Sequence, residues 1–168
     1  MHRLVELARD SVEQFVRNRV MLPIPNPLPA EMAERSGVFV CMKKGSNLRG
    51  CIGTFMPCCE NIAAETIRNA ISAATQDPRF MPVSEDELPD LEYSVDILSA
   101  PEKVKDISEL DHREFGVILT SGQKRGLLLP DLEGVNSVEE QIRITRMKAG
   151  ILPNEKIEIF RFRVTRYR

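Results

Sequence analysis

Leu4, Ala8, Val12, Phe15 and Val16 recur at helical spacing across residues 3–20, with Leu7 beside them and polar residues between. That stripe predicts an amphipathic helix. It ends before Pro23, Pro25, Pro27 and Pro29, whose period of two suits neither a helix nor a central strand and predicts an extended loop. The apolar Ile24 and Leu28 in this loop predict that it lies against the surface. Residues 37–43 then carry a β-branched and aromatic run (Val38, Phe39, Val40), and residues 48–55 resume it after Lys44-Gly45-Ser46-Asn47. This is a hairpin signature, with Gly45-Ser46 as a two-residue turn whose first position needs positive φ. Such a turn places Met42 opposite Arg49 and Val40 opposite Cys51. Apolar residues on both faces of both strands predict a central position in a sheet.

Residues 61–76 are rich in small residues, with Ile62, Ala63, Ile67, Ala70, Ile71 and Ala74 as a buried stripe and Asn61 as N-cap. Alanines at this density let a helix approach a sheet closely. The helix stops at Asp77-Pro78, and residues 79–87 predict a connection with one helical turn. Residues 91–98 alternate cleanly, with Leu91, Tyr93, Val95 and Ile97 on one face and Glu92, Ser94 and Asp96 on the other, as in a half-buried strand. Residues 115–120 and 126–129 bracket a second hairpin loop at 121–125. Ser137-Val138-Glu139-Glu140 opens a helix that runs to Ala149, and Gly150 suits its stop. Residues 156–167 read as one strand whose apolar phase switches near Phe160, predicting a bulge or strong twist there. The mixed order of elements favours α+β over a doubly wound sheet.

Composition narrows the function. Of 168 residues, 42% are hydrophobic and 29% charged, which is ordinary for a globular domain. Lys and Arg number 23 against 25 Asp and Glu, for a formal charge of −2, so a strongly basic nucleic-acid binder is not indicated. No apolar run approaches the ~18 residues that span a bilayer. The first residues do not read as a signal peptide, so a cytoplasmic location and reduced thiols are expected. The four cysteines, Cys41, Cys51, Cys58 and Cys59, and the isolated His2 and His112 lack the spacing of a zinc site, and no metal is expected. No P-loop, dinucleotide fingerprint or serine elbow is present.

The most distinctive segment is Leu48-Arg49-Gly50-Cys51-Ile52-Gly53-Thr54. Two glycines inside a strand weaken it unless something needs the space. Simple alternation puts Arg49, Cys51 and Gly53 on one face, where a guanidinium would favour the Cys51 thiolate and the bare Gly50 and Gly53 would admit a ligand. The plainer account is a structural cysteine in a close-packed sheet. Asp77 and Arg79 have two readings as well. They could aim an acid and a base into a cleft, or form an ion pair that fixes the turn with Phe80 as core anchor, and the second is preferred. Lys148, in a last helical turn, complements the helix dipole. Arg161, Arg163, Arg166 and Arg168 form a basic strip beside Phe160 and Phe162, but alternation turns those aromatics away from the arginines. RNA binding is thus only weakly supported.

The hexapeptide LRGCIG, followed by Ala73-Ala74, Asp77-Pro78-Arg79-Phe80, Gly126-Leu127-Leu128-Leu129-Pro130 and Lys148-Ala149-Gly150, resembles the AMMECR family from about Leu4 to Phe162. The resemblance implies a two-lobed α+β domain spanning 1–168, mainly antiparallel, with flanking helices. Its larger lobe comes from both chain ends and its smaller lobe from the middle, roughly 83–130. It implies no known reaction and no known cofactor. The chain is most similar to stand-alone prokaryotic members, which accompany a Memo-like protein and a radical S-adenosylmethionine protein in the AmmeMemoRadiSam system. A binding or accessory role through the LRGCIG surface ranks first. The alternative is a thiol-dependent enzyme with Cys51 as nucleophile, Arg49 as anion stabiliser and Asp77 beside them, Gly50, Gly53 and Arg79 serving the ligand. No seam for a homo-oligomer is readable.

Overall fold

The computed structural model describes residues 1–168. The fold is α+β and holds two four-stranded sheets. The chain divides into two compact units, residues 1–98 with 165–168, and residues 99–164.

The first unit opens with α1 (Arg3–Asn18), whose N-terminus is capped by the His2 imidazole, Nδ1 accepting from the Leu4 amide. Leu4, Val5, Ala8 and Val12 are its buried stripe. β1 (Val38–Lys44) and β2 (Asn47–Thr54) form the first hairpin, and Gly45 takes the expected positive φ of 63° in its turn. α2 (Ile62–Thr75) starts at the Asn61 cap and lies on β1, β2 and α1. A 3-10 turn at Glu85–Asp90 leads into β3 (Leu91–Leu98). The sheet order is β2-β1-β3-β8, with β8 (Val164–Tyr167) last in the chain. One face, carrying Val38, Val40, Met42, Tyr93 and Val95, is sealed in the core with the two helices.

The second unit holds β4 (Glu102–Val104), β5 (Gly116–Ser121), β6 (Lys124–Leu128) and β7 (Glu158–Phe162) in the order β4-β7-β5-β6. α3 (Val138–Ala149) lies on β5 and β6, and Val104, Leu110, Val117 and Leu128 form the core beneath. Gln141, fully buried, donates to the Phe115 carbonyl.

Several expectations need correction. β1 is central, but β2 is an edge strand, because only its β1 side is paired. The smaller unit begins at Ser99 and runs to Val164, not from 83 to 130. Val83 and Leu88 belong to the first core, and β3 is held between β1 and β8. The C-terminal strand has no bulge at Phe160; it breaks at Arg163, and its two halves join different sheets. Each half keeps its own apolar phase, which is why one continuous alternation fails. In the proline loop Leu28 packs on the core, but Ile24 is exposed. No helix is long and apolar enough to cross a membrane.

Candidate functional site

The site is built on the outer edge of β2. The register runs Cys41↔Cys51 and Met42↔Gly50, then slips to Lys43↔Leu48. Arg49 is thus the extra residue of a β-bulge. This one-residue slip overturns the expected pairs of Met42 with Arg49 and Val40 with Cys51. Cys41 and Cys51 face each other directly and are joined by a disulfide, with Cα atoms 4.0 Å apart. The expected reduced thiol at Cys51 is therefore corrected: in this structure its sulfur is bonded.

A separation this short marks a non-hydrogen-bonded pair, so the Cys51 N–H and C=O point away from β1, toward the open edge. Both are taken up by the segment after α2. The Cys51 amide donates to Asp77 Oδ2 at 3.0 Å, and Arg79 Nη2 donates to the Cys51 carbonyl at 3.2 Å. Arg79 also donates from Nε and Nη2 to both oxygens of Asp77, at 3.0 and 2.7 Å. The Asp77-Pro78-Arg79-Phe80 corner acts as a one-residue substitute for a neighbouring strand. Asp77 is only 4% exposed. The Arg79 guanidinium, ahead of the amide hydrogen bonds, holds its carboxyl far below the usual range despite burial.

The bulge sends Arg49 elsewhere. Its Nε and Nη2 donate to the two oxygens of Glu87 at 2.8 and 3.0 Å, and Nη2 also reaches the Met81 carbonyl at 2.8 Å. Arg49 lowers the Glu87 carboxyl to about 2, against the opposing effect of burial. The Phe80 ring receives both guanidiniums, Arg49 at 5.8 Å and Arg79 at 5.4 Å from its centroid. Met81 follows, 81% exposed, and Leu48 is exposed on the other side of Arg49.

The two glycines do not open a ligand space. A Cβ on Gly50 would collide with the Ala73 carbonyl oxygen of α2, and one on Gly53 with the Phe39 ring. The protein itself fills the room they leave. Of the candidate residues, the structure brings Cys51, Asp77 and Arg79 together and places Arg49 beside them through Phe80. Gly50 and Gly53 are packing positions.

Sequence reasoning missed Glu87, although Ser84 three residues earlier signals the capping box that fixes it. It also missed Glu65, a fully buried carboxylate on α2. Glu65 accepts from the Thr54 hydroxyl and from the amides of Cys58 and Cys59, which pins the loop between β2 and α2. Burial opposes its ionisation, but these hydrogen bonds together outweigh burial and keep its carboxyl below the ordinary value. Cys58 is an exposed free thiol; burial and then Glu65 push the half-buried Cys59 thiol up.

Three of the four C-terminal arginines are engaged within their own units. Arg161 pairs with Glu102 and Arg163 with Glu114, and both guanidiniums lie over the Phe115 ring, at 4.3 and 4.5 Å. The expectation that aromatics turn away from these arginines holds for Phe160 and Phe162 but overlooks Phe115. Arg166 binds the buried Asp96 through both oxygens, at 2.7 and 2.6 Å. Lys148 donates to the Leu127 carbonyl at 3.1 Å. No three His, Cys, Asp or Glu side chains converge as metal ligands.

The AMMECR1 family model matches residues 5–167. A protein of Thermotoga maritima is 51% identical over 170 residues, covering 99% of this chain and 98% of its own length. One from Methanothermobacter thermautotrophicus is 42% identical, covering 90% of this chain and 82% of its own. A Clostridium acetobutylicum relative is 49% identical over 98% of this chain, which spans only 35% of that protein. Among solved structures, the uncharacterised protein PH0010 from Pyrococcus horikoshii superposes with a TM-score of 0.88 at 31% identity, covering 97% of this chain and 88% of that one.

Proposed function

The chain belongs to the AMMECR1 family, and from that premise we propose that it is a binding or accessory component whose LRGCIG edge docks partner proteins. The observation that carries this reading is the mutual commitment of the charged groups. Arg49 is spent on Glu87 and Arg79 on Asp77. Both carboxyls are held well below the ordinary value, so neither is poised to pass a proton near neutral pH. What remains is a preorganised surface with Arg79, Met81 and Leu48 facing outward, residue types that suit a protein interface in the case of Arg and Met. The partner classes proposed are Memo-like and radical S-adenosylmethionine proteins.

The alternative, thiol-dependent catalysis by Cys51 with Arg49 as anion stabiliser, needs two departures from this geometry. The Cys41–Cys51 bond must open, and Arg49 must leave Glu87. No observation favours it over docking.

The test is gentle co-purification of the three proteins, repeated with Leu48→Asp and Met81→Asp. Both positions are exposed, so thermal unfolding should stay close to wild type while complex recovery falls. Recovery of the same complex by both variants, or no complex with the wild-type chain, removes the proposal.

A further inference from the structure

The two sulfurs of the signature hairpin lie on the sheet face opposite the helices, and this face has a cavity that shares only Leu48 with the docking surface. It encloses about 210 Å³, and Cys41, Lys43, Glu92, Ser94, Arg166 and Arg168 are among the eight residues that line it. The register explains the grouping. Cys41 is opposite Ser94, and Lys43 opposite Glu92, on the same face of β1 and β3. Three of its eight lining residues are cationic and one, Glu92, is anionic. Asp96, two residues along β3 from Ser94 and on the same face, binds Arg166 and holds that guanidinium beside the cavity. Cys41 lines this space and Cys51 does not.

We propose that Cys41 and Cys51 form a reversible dithiol–disulfide couple, entered through this cavity by a small anionic thiol that attacks Sγ of Cys41. The incoming thiolate forms a bond to Cys41 Sγ, the Cys41–Cys51 bond breaks, and Cys51 leaves as a thiolate that takes a proton from solvent. A second thiolate attacks the outer sulfur of the mixed disulfide, releasing the small disulfide and the Cys41 thiolate, which is protonated in turn. Two small thiols are oxidised to one disulfide, and the protein disulfide is reduced to two thiols. The reverse sequence with the small disulfide restores the bond. Attack at Cys41 follows from access, since exchange proceeds at the sulfur a nucleophile can reach. The preference for an anion follows from Lys43 and Arg168, since Arg166 is already held by both oxygens of Asp96. Cys51 is also the residue whose backbone receives Asp77 and Arg79, so the couple sits in the strand that carries the signature.

This inference does not rest on the docking proposal, and its test needs no partner. Oxidised wild-type protein is treated, without denaturant, with 2-mercaptoethanesulfonate or with 2-mercaptoethylamine. Each rate is divided by that of the same thiol on an uncharged small disulfide. Samples are quenched by alkylation and mapped by peptide mass, with the exposed free Cys58 as an internal reference. The expected result is joint appearance of thiols at 41 and 51 in folded protein, a trapped adduct on Cys41, and a relative rate about threefold or more higher for the anionic thiol, shrinking with added salt. As a second measurement, with the symmetrical disulfide of 2-mercaptoethanesulfonate as reagent, Cys51→Ser should form the adduct on Cys41, releasing one small thiol, faster than Cys41→Ser forms it on Cys51. If either variant fails to fold, the partition of adducts between the two positions in wild type reads the same quantity. Opening only in denaturant, adducts mainly on Cys51, or no advantage for the anionic thiol overturns the proposal.

Discussion

β2 and β6 are each the second strand of a hairpin, each the edge of a four-stranded sheet, and each covered by a helix. Each carries a glycine where that helix comes closest. A Cβ on Gly50 would strike the Ala73 carbonyl of α2, and one on Gly126 would lie 2.8 Å from both the Thr145 carbonyl and the Ala149 Cβ of α3. They differ in how outward backbone groups are satisfied. At β6, Lys148 from the covering helix donates to one carbonyl, Leu127. At β2, a buried carboxylate and a guanidinium, bonded to each other, take both the donor and the acceptor of Cys51. An exposed ammonium on a flexible stem protects an edge without fixing it. The Asp77–Arg79 pair does fix it, since a carboxylate can only accept and so reads where the N–H points.

Four measurements can break or sharpen this contrast. The largest effect belongs to the glycines: Gly50→Ala should destabilise by about 3 kcal/mol and Gly126→Ala by about 2 kcal/mol, as overpacking against backbone does. Hydrogen exchange resolved by unit should show each loss confined to its own sheet, and equal losses in both units would erase the distinction. Next, Asp77→Ala should cost about 2 kcal/mol, because it strands a buried amide and frees Arg79. Loss of exchange protection at the Cys51 amide checks this; unchanged protection would show that the clamp is not needed. The third is acid sensitivity. Glu87 has a lowered carboxyl in the folded state, about 2 against an ordinary value of about 4.3, so its stabilisation is complete above that ordinary value and is lost as pH falls toward 2. Asp77 acts in the same direction. Unfolding followed from pH 6 downward should therefore weaken the first unit, and Glu87→Gln should flatten that limb. Smallest is Lys148→Ala, expected within about 0.5 kcal/mol of wild type by urea denaturation. A larger loss would mean that the β6 edge is fixed as firmly as the β2 edge.

Much of the fold was legible because local patterns agreed with the tertiary structure. The alternation over 91–98 is β3, and the Asn61 cap and alanine stripe are α2. The site was legible in its residues but not in its geometry. A single bulge at Arg49 exchanged which residue faces Cys51, and neither composition nor turn length reports a bulge. Asp96 shows the same limit: alternation assigns it to the solvated side, yet Arg166, seventy residues later, buries it. Glu65 is hidden for a related reason, since an acid on an alanine-rich helix reads as solvated until the Thr54, Cys58 and Cys59 donors come into view.

The break at Arg163 has a consequence for the order of events during synthesis. β7 completes its contacts in the second sheet, and the very next strand belongs to the first. Residues 1–98 therefore leave the ribosome well before residues 164–167, which supply their fourth strand. Until then the open side of β3 is an unpaired ribbon, and Asp96 lacks its cation. A nascent chain stalled just short of β8 should be the species most in need of a chaperone.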